Sequence, residues 1–257
     1  MQRAMLTDTH AHLCDPSLEG DLAGVLARAR EQGVGQVISV CEDPEEASQN
    51  LELAESFPGI FPAAGLYPGK ADRSQALALQ DLVRQQRDRL TALGEVGLDY
   101  RIAETEEDRE LQREVLTLFI SLSLELDLPL NVHSRSAGRH AADLLLEQGA
   151  RLVQMHAFDG KAASARPAVE AGYFFSVPPS AVRSRQKQKL IRQLPLSCLL
   201  PETDSPVLGP SPEQVNEPCN LHHSLQKIAE LKEMETSRVQ DAVLENTRRL
   251  YGEISSP

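Results

Sequence analysis

Residues 129–156 read PLNVHSRSAGRHAADLLLEQGARLVQMH, and this stretch contains one complete strand–helix–strand unit. Leu130–Val132 and Leu152–Met155 are short apolar runs typical of buried strands, and the residues between them have helical periodicity. A histidine follows each strand, His133 after the first and His156 after the second. Because a helix joins the two strands, the unit predicts parallel neighbours whose carboxyl ends both carry an imidazole.

The same alternation extends along the whole chain. Eight strands are predicted, at Ala4–Thr7, Gln36–Cys41, Ile60–Leu66, Leu90–Gly94, Leu130–Val132, Leu152–Met155, Tyr173–Val177 and Ser197–Leu200. The predicted helices are Leu18–Gln32, Pro44–Phe57, Gln75–Arg89, Arg109–Leu126, Arg139–Gln148, Ala163–Ala171, Arg183–Gln193, Leu221–Glu235 and Ser237–Tyr251. This order in 257 residues predicts an α/β protein with a single domain over residues 1–257, a (β/α)8 TIM barrel.

A doubly wound open sheet is the alternative fold. Such a sheet normally carries a glycine-rich phosphate turn after an early strand, whereas the first strand here runs into His10-Ala11-His12. The barrel is therefore the preferred interpretation.

The composition excludes a broad nucleic-acid-binding surface. The chain has 38 acidic and 26 basic residues, which gives a net charge of −12, whereas generic nucleic-acid binders are basic. Six Phe, four Tyr and no Trp are too few for a platform on which bases stack. Any phosphate binding must therefore be local.

Cysteine usage and hydropathy indicate a cytoplasmic or nuclear location. The cysteines at positions 14, 41, 198 and 219 lie far apart, without the close pairs of zinc or redox sites, and are expected to be buried and reduced. The most apolar stretch, Val115–Leu128, is interrupted by polar residues and predicts an amphipathic helix. We therefore expect no signal peptide and no membrane segment. No obligate protein partner is inferred from the sequence.

Four of the seven histidines and two acidic residues are predicted at the ends of strands. The parallel strands of a barrel point their carboxyl ends at one rim, which is where barrel enzymes keep their active sites. His10 and His12 alternate on an extended segment, so both rings can face the barrel mouth. The candidate site residues are His10, His12, Glu95, His133, His156 and Asp204.

Four imidazoles and two carboxylates at one rim could hold two divalent cations, with positions left open for water or substrate. Each motif alone is weak, because Glu95 could be an ordinary turn residue and Asp204 a helix cap. The mixture of nitrogen and oxygen ligands favours zinc or manganese, with magnesium as the alternative.

The motifs in this order resemble the TatD-type metal-dependent deoxyribonucleases, a family of amidohydrolase-like barrels. The resemblance covers nearly the whole chain and rests on Asp8-Thr9-His10-Ala11-His12, Gly94-Glu95-Val96-Gly97-Leu98-Asp99, Pro129-Leu130-Asn131-Val132-His133-Ser134-Arg135, His156-Ala157-Phe158-Asp159-Gly160 and Glu202-Thr203-Asp204-Ser205-Pro206. The segment 172–180, GYFFSVPPS, further resembles the third animal subgroup of TatD-domain proteins.

The resemblance implies a metal centre and a reaction. It implies that His10, His12 and Asp204 hold one metal, that His133 and His156 hold the other, and that Glu95 bridges them. No lysine occurs between Lys70 and Lys161, so a lysine bridge at the fourth and fifth strands is excluded. The implied activity is hydrolysis of DNA phosphodiester bonds, from a 3′ end, on DNA ends or short oligonucleotides. Glu95 and Asp204 are the implied catalytic residues, with Asp204 also able to take a proton from the attacking water.

The chain departs from the family pattern at two places. The family's Gly-x-His-Pro appears as Gly65-Leu66-Tyr67-Pro68, and its Arg-Asn-x-Pro appears as Val215-Asn216-Glu217-Pro218. A tyrosine can donate a hydrogen bond to phosphate but cannot act as a cation. The predicted substrate contacts are Tyr67, Arg135, Ser205 and Asn216.

Several other residues have less specific interpretations. Arg135 could clamp a phosphate or form a rim salt bridge. Glu202 and Ser205 could order the metal ligands through hydrogen bonds. Asp99 could do the same from the loop that carries Glu95, but a solvated loop is the preferred interpretation. We expect surface or packing roles for His140, His222 and His223, and a solvated helix face, or alternatively a DNA approach path, for Arg183, Arg185, Lys187 and Lys189.

Two other functions are compatible with the sequence. The same centre could hydrolyse an ester, amide or lactone, because fold does not fix substrate. A barrel that has lost turnover and serves as an interaction protein is the third hypothesis, and only the two departures support it.

Overall fold

The computed structural model describes residues 5–254. Within them, eight parallel strands lie in chain order around a nearly closed barrel, with helices between them. The strands are β1 (Leu6–Ala11), β2 (Val34–Ser39), β3 (Ile60–Ala64), β4 (Ala92–Gly97), β5 (Leu130–His133), β6 (Val153–Met155), β7 (Phe174–Val177) and β8 (Leu199–Pro201). The predicted TIM barrel is therefore confirmed.

Ten α-helices occur in the described part of the chain, most of them on the outside of the barrel. They are α1 (Pro16–Glu19), α2 (Leu22–Glu31), α3 (Pro44–Ser56), α4 (Arg73–Gln85), α5 (Glu106–Leu126), α6 (Gly138–Glu147), α7 (Ala162–Glu170), α8 (Arg185–Gln193), α9 (Leu221–Lys232) and α10 (Thr236–Tyr251). Among residues 5–254, none of them has the length and apolarity needed to cross a membrane.

Local sequence explains the longest helix, α5. Thr105 and Asp108 form a reciprocal capping box at its start, which satisfies backbone N–H groups that the first turn leaves free. The helix ends at Asp127, which adopts a left-handed conformation with φ 53°. Leu116 and Phe119 are fully buried in the main core. Apolar burial on this scale is the main stabilising term in such a domain.

The seam between β8 and β1 is closed beyond the end of β8. His12 N donates to Ser205 O at 2.8 Å, and Asp204 N donates to His10 O at 2.8 Å. Thr203 N donates to the buried carboxylate of Asp8 at 2.8 Å. The two ends of the barrel chain therefore meet at the residues predicted to hold metal.

Several predicted boundaries were wrong, and three of them are informative. The first strand is Leu6–Ala11 and not Ala4–Thr7, whose Ala4 lies outside the described residues; His10 is therefore inside the strand. Glu95 likewise lies inside β4 and not after it. The interior of this barrel accepts polar side chains, so polar residues do not mark strand ends. The single helix predicted over Leu18–Gln32 is two helices, α1 and α2, that are separated at Gly20.

The cysteine prediction was correct in part. Cys41 and Cys198 are buried, whereas Cys14 and Cys219 are only partly buried, and all four are free thiols.

The end of α10 closes the amino-terminal end of the barrel. Tyr251 inserts its hydroxyl group among interior polar residues, where it donates to Gln154 at 2.7 Å. Beside it, Gln36 of β2 donates to the carbonyl of Ile254 at 2.7 Å. The open end of the barrel is consequently the opposite one, where the candidate site lies.

Candidate metal centre

The structure brings all six candidate metal-site residues together at the open end of the barrel. On one side, His10 Nε2 lies 3.2 Å from His12 Nε2 and 3.3 Å from Asp204 Oδ1. His12 Nε2 lies 3.6 Å from the same Asp204 oxygen. These distances place two imidazole nitrogens and a carboxylate oxygen around one small space.

Glu95 lies between this group and a second pair of histidines. Its Oε2 is 3.4 Å from His12 Nε2 and 4.0 Å from His10 Nε2. Its Oε1 is 2.6 Å from His133 Nδ1 and 3.9 Å from His156 Nε2. The two oxygens of one carboxylate therefore face two different histidine pairs.

Asn131 determines which nitrogen of His10 faces this space. Its Nδ2 donates to the carbonyl of Thr9 at 2.9 Å, so its Oδ1 is an acceptor. His10 Nδ1 lies 2.8 Å from that oxygen and must be the protonated nitrogen. The lone pair of His10 is consequently on Nε2, which faces Glu95 and Asp204.

Glu202 does the same for His156. Its Oε2 is 2.8 Å from His156 Nδ1, and Ser176 Oγ donates to the same oxygen at 2.6 Å. Its Oε1 accepts from the backbone N–H of Ala157 at 2.9 Å. The predicted ordering of a site histidine by Glu202 is confirmed at the level of this hydrogen bond, which leaves Nε2 of His156 with its lone pair.

Asp99 orients His133, so the preferred interpretation of Asp99 as solvated was wrong, and the alternative, that it orders a candidate ligand through a hydrogen bond, agrees with the structure. The side chain is fully buried, and its Oδ2 accepts from His133 Nε2 at 3.1 Å and from the Tyr67 hydroxyl at 3.0 Å. His133 Nδ1 is left to face Glu95. Tyr67 lies at the site as predicted, but its hydroxyl hydrogen is directed to Asp99 and not to open space.

The electrostatics favour charged carboxylates despite their burial. Burial opposes the charge of Glu95, but His133 and the hydrogen bonds from His12 and His133 hold its pKa well below the usual range. Burial also opposes the charge of Asp204, and His156 and His10 lower its pKa. For His133, burial favours the neutral ring, but Glu95 and Asp99 raise its pKa to about 9.

The donor set fits divalent cations. Ligand atoms of His10, His12 and Glu95 lie within 4.8 Å of one another, as do those of Glu95, His133 and His156. Glu95 belongs to both groups. A third group contains Glu202, but its Oε2 already accepts the Nδ1 proton of His156, so Glu202 supports a ligand and does not supply one.

Two residues at the site have a backbone conformation that side chains rarely adopt. Asp204 has φ 57° and Ala157, which follows His156, has φ 38°. Such strain concentrates at functional sites, where surrounding contacts hold it in place. Here the Glu202 hydrogen bond to Ala157 and the seam hydrogen bond from Asp204 provide that support.

A cavity of about 540 Å³ opens over the candidate ligands. Arg135 and Lys187 both line it. Arg135 is exposed, and within the described residues its guanidinium has no carboxylate oxygen within 4.0 Å. The prediction that Arg135 lies at the rim therefore agrees with its position, and a rim salt bridge is absent there.

The solvated helix face predicted for the basic segment was wrong for Lys187. Arg183, Arg185 and Lys189 are exposed, but Lys187 turns toward the cavity and its Nζ donates to Ala157 O at 2.9 Å. Burial lowers the pKa of this amine, and Glu202 partly offsets the effect. The sequence contained a signal for this orientation. Lys187 is three and four residues before the buried pair Leu190 and Ile191, so it lies on the same face of the helix as they do.

Ser205 and Asn216 do not reach the cavity, contrary to the predicted substrate contacts. Ser205 is fully buried, and its hydroxyl lies 2.7 Å from Thr203 Oγ1. Asn216 is 1% exposed and donates to the carbonyls of Thr203 and Val207, both at 2.8 Å. Both side chains therefore hold the loop after β8 in place, and that loop carries Asp204.

Four residues that support the site were not predicted. They are the interior polar residues Asn131, Gln154 and Ser176, and Tyr251 at the end of α10. The first three interrupt apolar parallel strands, which normally read as continuous hydrophobic runs, and that interruption was the available signal. His140, His222 and His223 lie outside the site, as expected.

A second cavity, of about 590 Å³, lies between the β1–α1 connection and α3. Its described lining contains five acidic and no basic side chains, so it offers nothing to a phosphate. The acidic lining residues are Glu19, Asp43, Glu45, Glu46 and Glu52.

Comparison with known proteins agrees with this geometry. The profile of a family described as TatD related DNase matches residues 7–252. Human deoxyribonuclease TATDN3 is 43% identical over 258 residues, which cover 96% of this chain and 94% of that protein. The uncharacterized metal-dependent hydrolase YabD of Bacillus subtilis is 32% identical over 254 residues, which cover 96% of this chain and 99% of that protein.

The likeness extends to a solved structure. The crystal structure of YjjV, a TatD homolog from Escherichia coli, has a TM-score of 0.90 to this chain at 28% identity. The match covers 98% of this chain and 99% of that chain. Sequence and fold therefore agree over the whole barrel.

Proposed function

The chain belongs to the TatD-related DNase family of metal-dependent hydrolases, and we propose that it cleaves DNA phosphodiester bonds at 3′ ends with two divalent cations. The observation that carries the proposal is Glu95, whose two oxygens face two separate histidine pairs. A carboxylate so placed is suited to bridging two cations. The substrate class follows from the family and from the two basic side chains that line the cavity.

We assign the ligands by proximity and by the orientation of the lone pairs. His10, His12 and Asp204 would hold one cation, His133 and His156 the other, and Glu95 both. The nitrogen ligands favour zinc or manganese. When bound, the two cations would supply Lewis acidity, which lowers the pKa of water and neutralises charge on phosphate oxygens.

Asp204 is the candidate general base. Its Oδ1 faces His10 and His12, while its Oδ2 is 3.8 Å from His156 Nε2. Because His156 and His10 lower its pKa, Asp204 is ionised at neutral pH and can accept a proton. Its place on the strained loop after β8 keeps the carboxylate directed into the cavity.

The shape and charge of the molecule favour ends over long stretches of DNA. The net charge is −12, and two basic side chains, Arg135 and Lys187, line the cavity over the candidate ligands. A terminal nucleotide can enter such a cavity with one or two phosphates, whereas duplex tracking needs many phosphate contacts. We infer that DNA ends or short oligonucleotides are the substrates.

The decisive experiment uses 5′-labelled oligonucleotides, single-stranded and duplex, with metal-stripped protein that is reloaded with zinc or manganese. We expect a ladder of products shortened from the 3′ end, blocked by a 3′-terminal phosphorothioate and not by a 5′-terminal one. Metal analysis should find about two ions per chain, as a two-metal site requires. Hydrolysis confined to esters or amides would instead favour the carbonyl-substrate hypothesis, and a metal-loaded protein without any hydrolysis would favour an interaction protein.

Glu95→Gln is the test variant and Glu52→Gln, at an exposed position of α3, is its matched control. We expect Glu95→Gln to lower the cleavage rate by more than about a hundredfold, because loss of an outer partner of a metal ligand alone costs about 10–100-fold. The metal content of this variant should also fall. Equal cleavage by both variants would refute the proposed role of Glu95.

A further inference from the structure

Lys187 is the one residue of the basic segment 183–189 whose charged group reaches the cavity over the metal centre. It lies in the first turn of α8, and Ser184 at the start of that helix accepts a hydrogen bond from its backbone N–H. Its Nζ donates to the carbonyl of Ala157, immediately after His156 in the chain. The amine therefore lies beside the candidate ligands without being one of them.

The ammonium group of Lys187 lacks a contacting counterion. An ammonium has three donors, and within the described residues one of them is directed to a protein acceptor, the carbonyl of Ala157. Within residues 5–254 no carboxylate oxygen lies within 4.0 Å of Nζ. By contrast, Lys70 has carboxylate oxygens of Glu42, Asp43 and Glu46 at 3.0, 2.7 and 3.6 Å.

A partly buried cation without a contacting anion is unfavourable unless a ligand supplies one. The cavity that Lys187 lines is the one that the substrate must enter to reach Glu95 and Asp204. The substrate of the proposed reaction brings a phosphate to that place. Lys187 thus has the charge, the free donors and the location that a phosphate oxygen requires.

The residues at the two departures from the family pattern, and Asn216 beside one of them, leave this position open. The Tyr67 hydroxyl donates to Asp99, and Asn216 is buried with its amide directed to backbone carbonyls. Val215, an exposed apolar residue, stands where the family pattern has an arginine. A cation from a different element, α8, is available in their place.

We propose that Lys187 binds a phosphate oxygen of the substrate at the metal centre and supplies the positive charge that Tyr67 and Val215 cannot. The inference rests on the proposed function, because it assigns a contact to that substrate. It names an anion-binding residue that lies outside the family motifs and could not be read from them.

The test measures binding of inorganic phosphate to the metal-loaded protein by calorimetry. Lys187→Met removes the ammonium and keeps the length of the side chain, while Lys189→Met, at an exposed position of the same helix, is the matched control. We expect Lys187→Met to weaken phosphate binding by about 10–100-fold, as loss of a charge-assisted hydrogen bond does. The control should bind phosphate within about twofold of the unaltered protein, because a solvated surface charge contributes little.

Metal content and the unfolding temperature are measured for each variant. We expect Lys187→Met to retain its metal and its fold. Unchanged phosphate affinity would overturn the inference, and so would loss of metal, because Lys187 would then act by holding Ala157 beside His156. Absence of phosphate binding by the unaltered protein would overturn it as well.

DNA cleavage by the unaltered protein separates this inference from the proposed function. If the protein binds phosphate through Lys187 but cleaves no DNA, the nuclease proposal fails and the anion-binding role stands. If the protein cleaves DNA and Lys187→Met binds phosphate normally, the nuclease proposal stands and the role of Lys187 fails.

Discussion

Tyr251 donates a hydrogen bond to Oε1 of Gln154 at the closed end of the barrel, and this contact fixes the orientation of the Gln154 amide. With its oxygen occupied, the amide presents Nε2 to Ser176 Oγ at 3.0 Å. The Ser176 hydroxyl must then donate onward to Glu202, which accepts the Nδ1 proton of His156. A directional chain of hydrogen bonds therefore connects α10 to His156, a candidate metal ligand.

Tyr251→Phe should weaken metal binding without altering any ligand. Gln154 Oε1 would lose the hydrogen bond that Tyr251 donates to it. The Gln154 amide, and the hydrogen bonds that follow it to His156, would then no longer be held in one orientation. We expect a loss of metal affinity of a few-fold, at most about tenfold, since the contact is more remote than the direct partners whose loss costs about 10–100-fold. The unsatisfied Gln154 oxygen should also lower the free energy of unfolding by about 1–3 kcal/mol.

Competition with a chromophoric chelator would measure the metal affinity of Tyr251→Phe. Tyr100→Phe is its control, because the Tyr100 hydroxyl accepts a hydrogen bond from Arg113 outside the directional chain. If both variants bound metal like the unaltered protein, the directional chain would have no effect on the site.

Glu202→Gln should have a larger effect than Tyr251→Phe. The carboxylate accepts hydrogen bonds from Ser176, Ala157 and His156, whereas an amide must direct an N–H at one of these donors. We expect about 10–100-fold weaker metal binding. Glu230→Gln, on the exposed face of α9, is the control for removal of one negative charge. Metal affinity that is lowered equally in both variants would attribute the effect to net charge.

Metal uptake should release protons near neutral pH. Burial favours neutral His133, but Glu95 and Asp99 raise its pKa to about 9, so the metal-free ring is protonated at pH 7.5. Because a ligand nitrogen must lose that proton, the apparent metal affinity should increase with pH up to about 9. Calorimetry of metal binding in buffers of different ionisation enthalpy would count the released protons. No dependence of the measured heat on buffer would contradict this prediction.

The same histidine predicts how the stability of the metal-free protein depends on pH. A folded-state pKa above the unfolded value of 6.5 means that the folded protein binds the additional proton. The stabilisation from His133 is therefore complete below pH 6.5 and is lost as the pH rises through about 9. Urea denaturation of the stripped protein across this range should show falling stability, and the trend should weaken in Asp99→Asn.

DNA binding should depend only weakly on salt. A cavity that contacts one or two phosphates gives a slope of log K against log salt of roughly −1 to −2, because each neutralised phosphate contributes about −0.7 to −0.9. Fluorescence anisotropy with a 3′-phosphorothioate oligonucleotide would measure this slope without turnover. A steep slope, typical of many phosphate contacts, would show that DNA engages a surface beyond the cavity.

The sequence was sufficient for the barrel, because alternating strand and helix patterns depend on local periodicity. It was insufficient for the ends of β1 and β4, where His10 and Glu95 lie within strands. Polar residues in strands normally indicate a boundary or an exposed face, but this barrel surrounds a polar interior. The hydrogen bonds to Asn131 and His133 make such burial favourable, and they form between distant parts of the chain.

The candidate metal site was predictable from residue types and from their position in the carboxyl-terminal part of the strands or just after them. The orientation of individual side chains was not predictable in the same way. Asn216 is directed into the loop after β8, where it donates to backbone carbonyls, and Lys187 is directed into the cavity, where it donates to Ala157. These contacts join residues that are not neighbours in the chain. Of these two side chains, Lys187 had a usable signal in its helical spacing with Leu190 and Ile191, and Asn216 had none.

The closure of the barrel seam also limits when a newly made chain can complete the candidate metal centre. Asp8 and Thr203, which are hydrogen-bonded across the seam, are 195 residues apart in the chain. At about 5–20 residues per second, a ribosome needs on the order of 10–40 s to reach Thr203 after it has added Asp8. Until then His10 and His12 lack Asp204, so a growing or prematurely terminated chain has no complete centre. The candidate metal centre would thus stay incomplete until synthesis has passed the final strand.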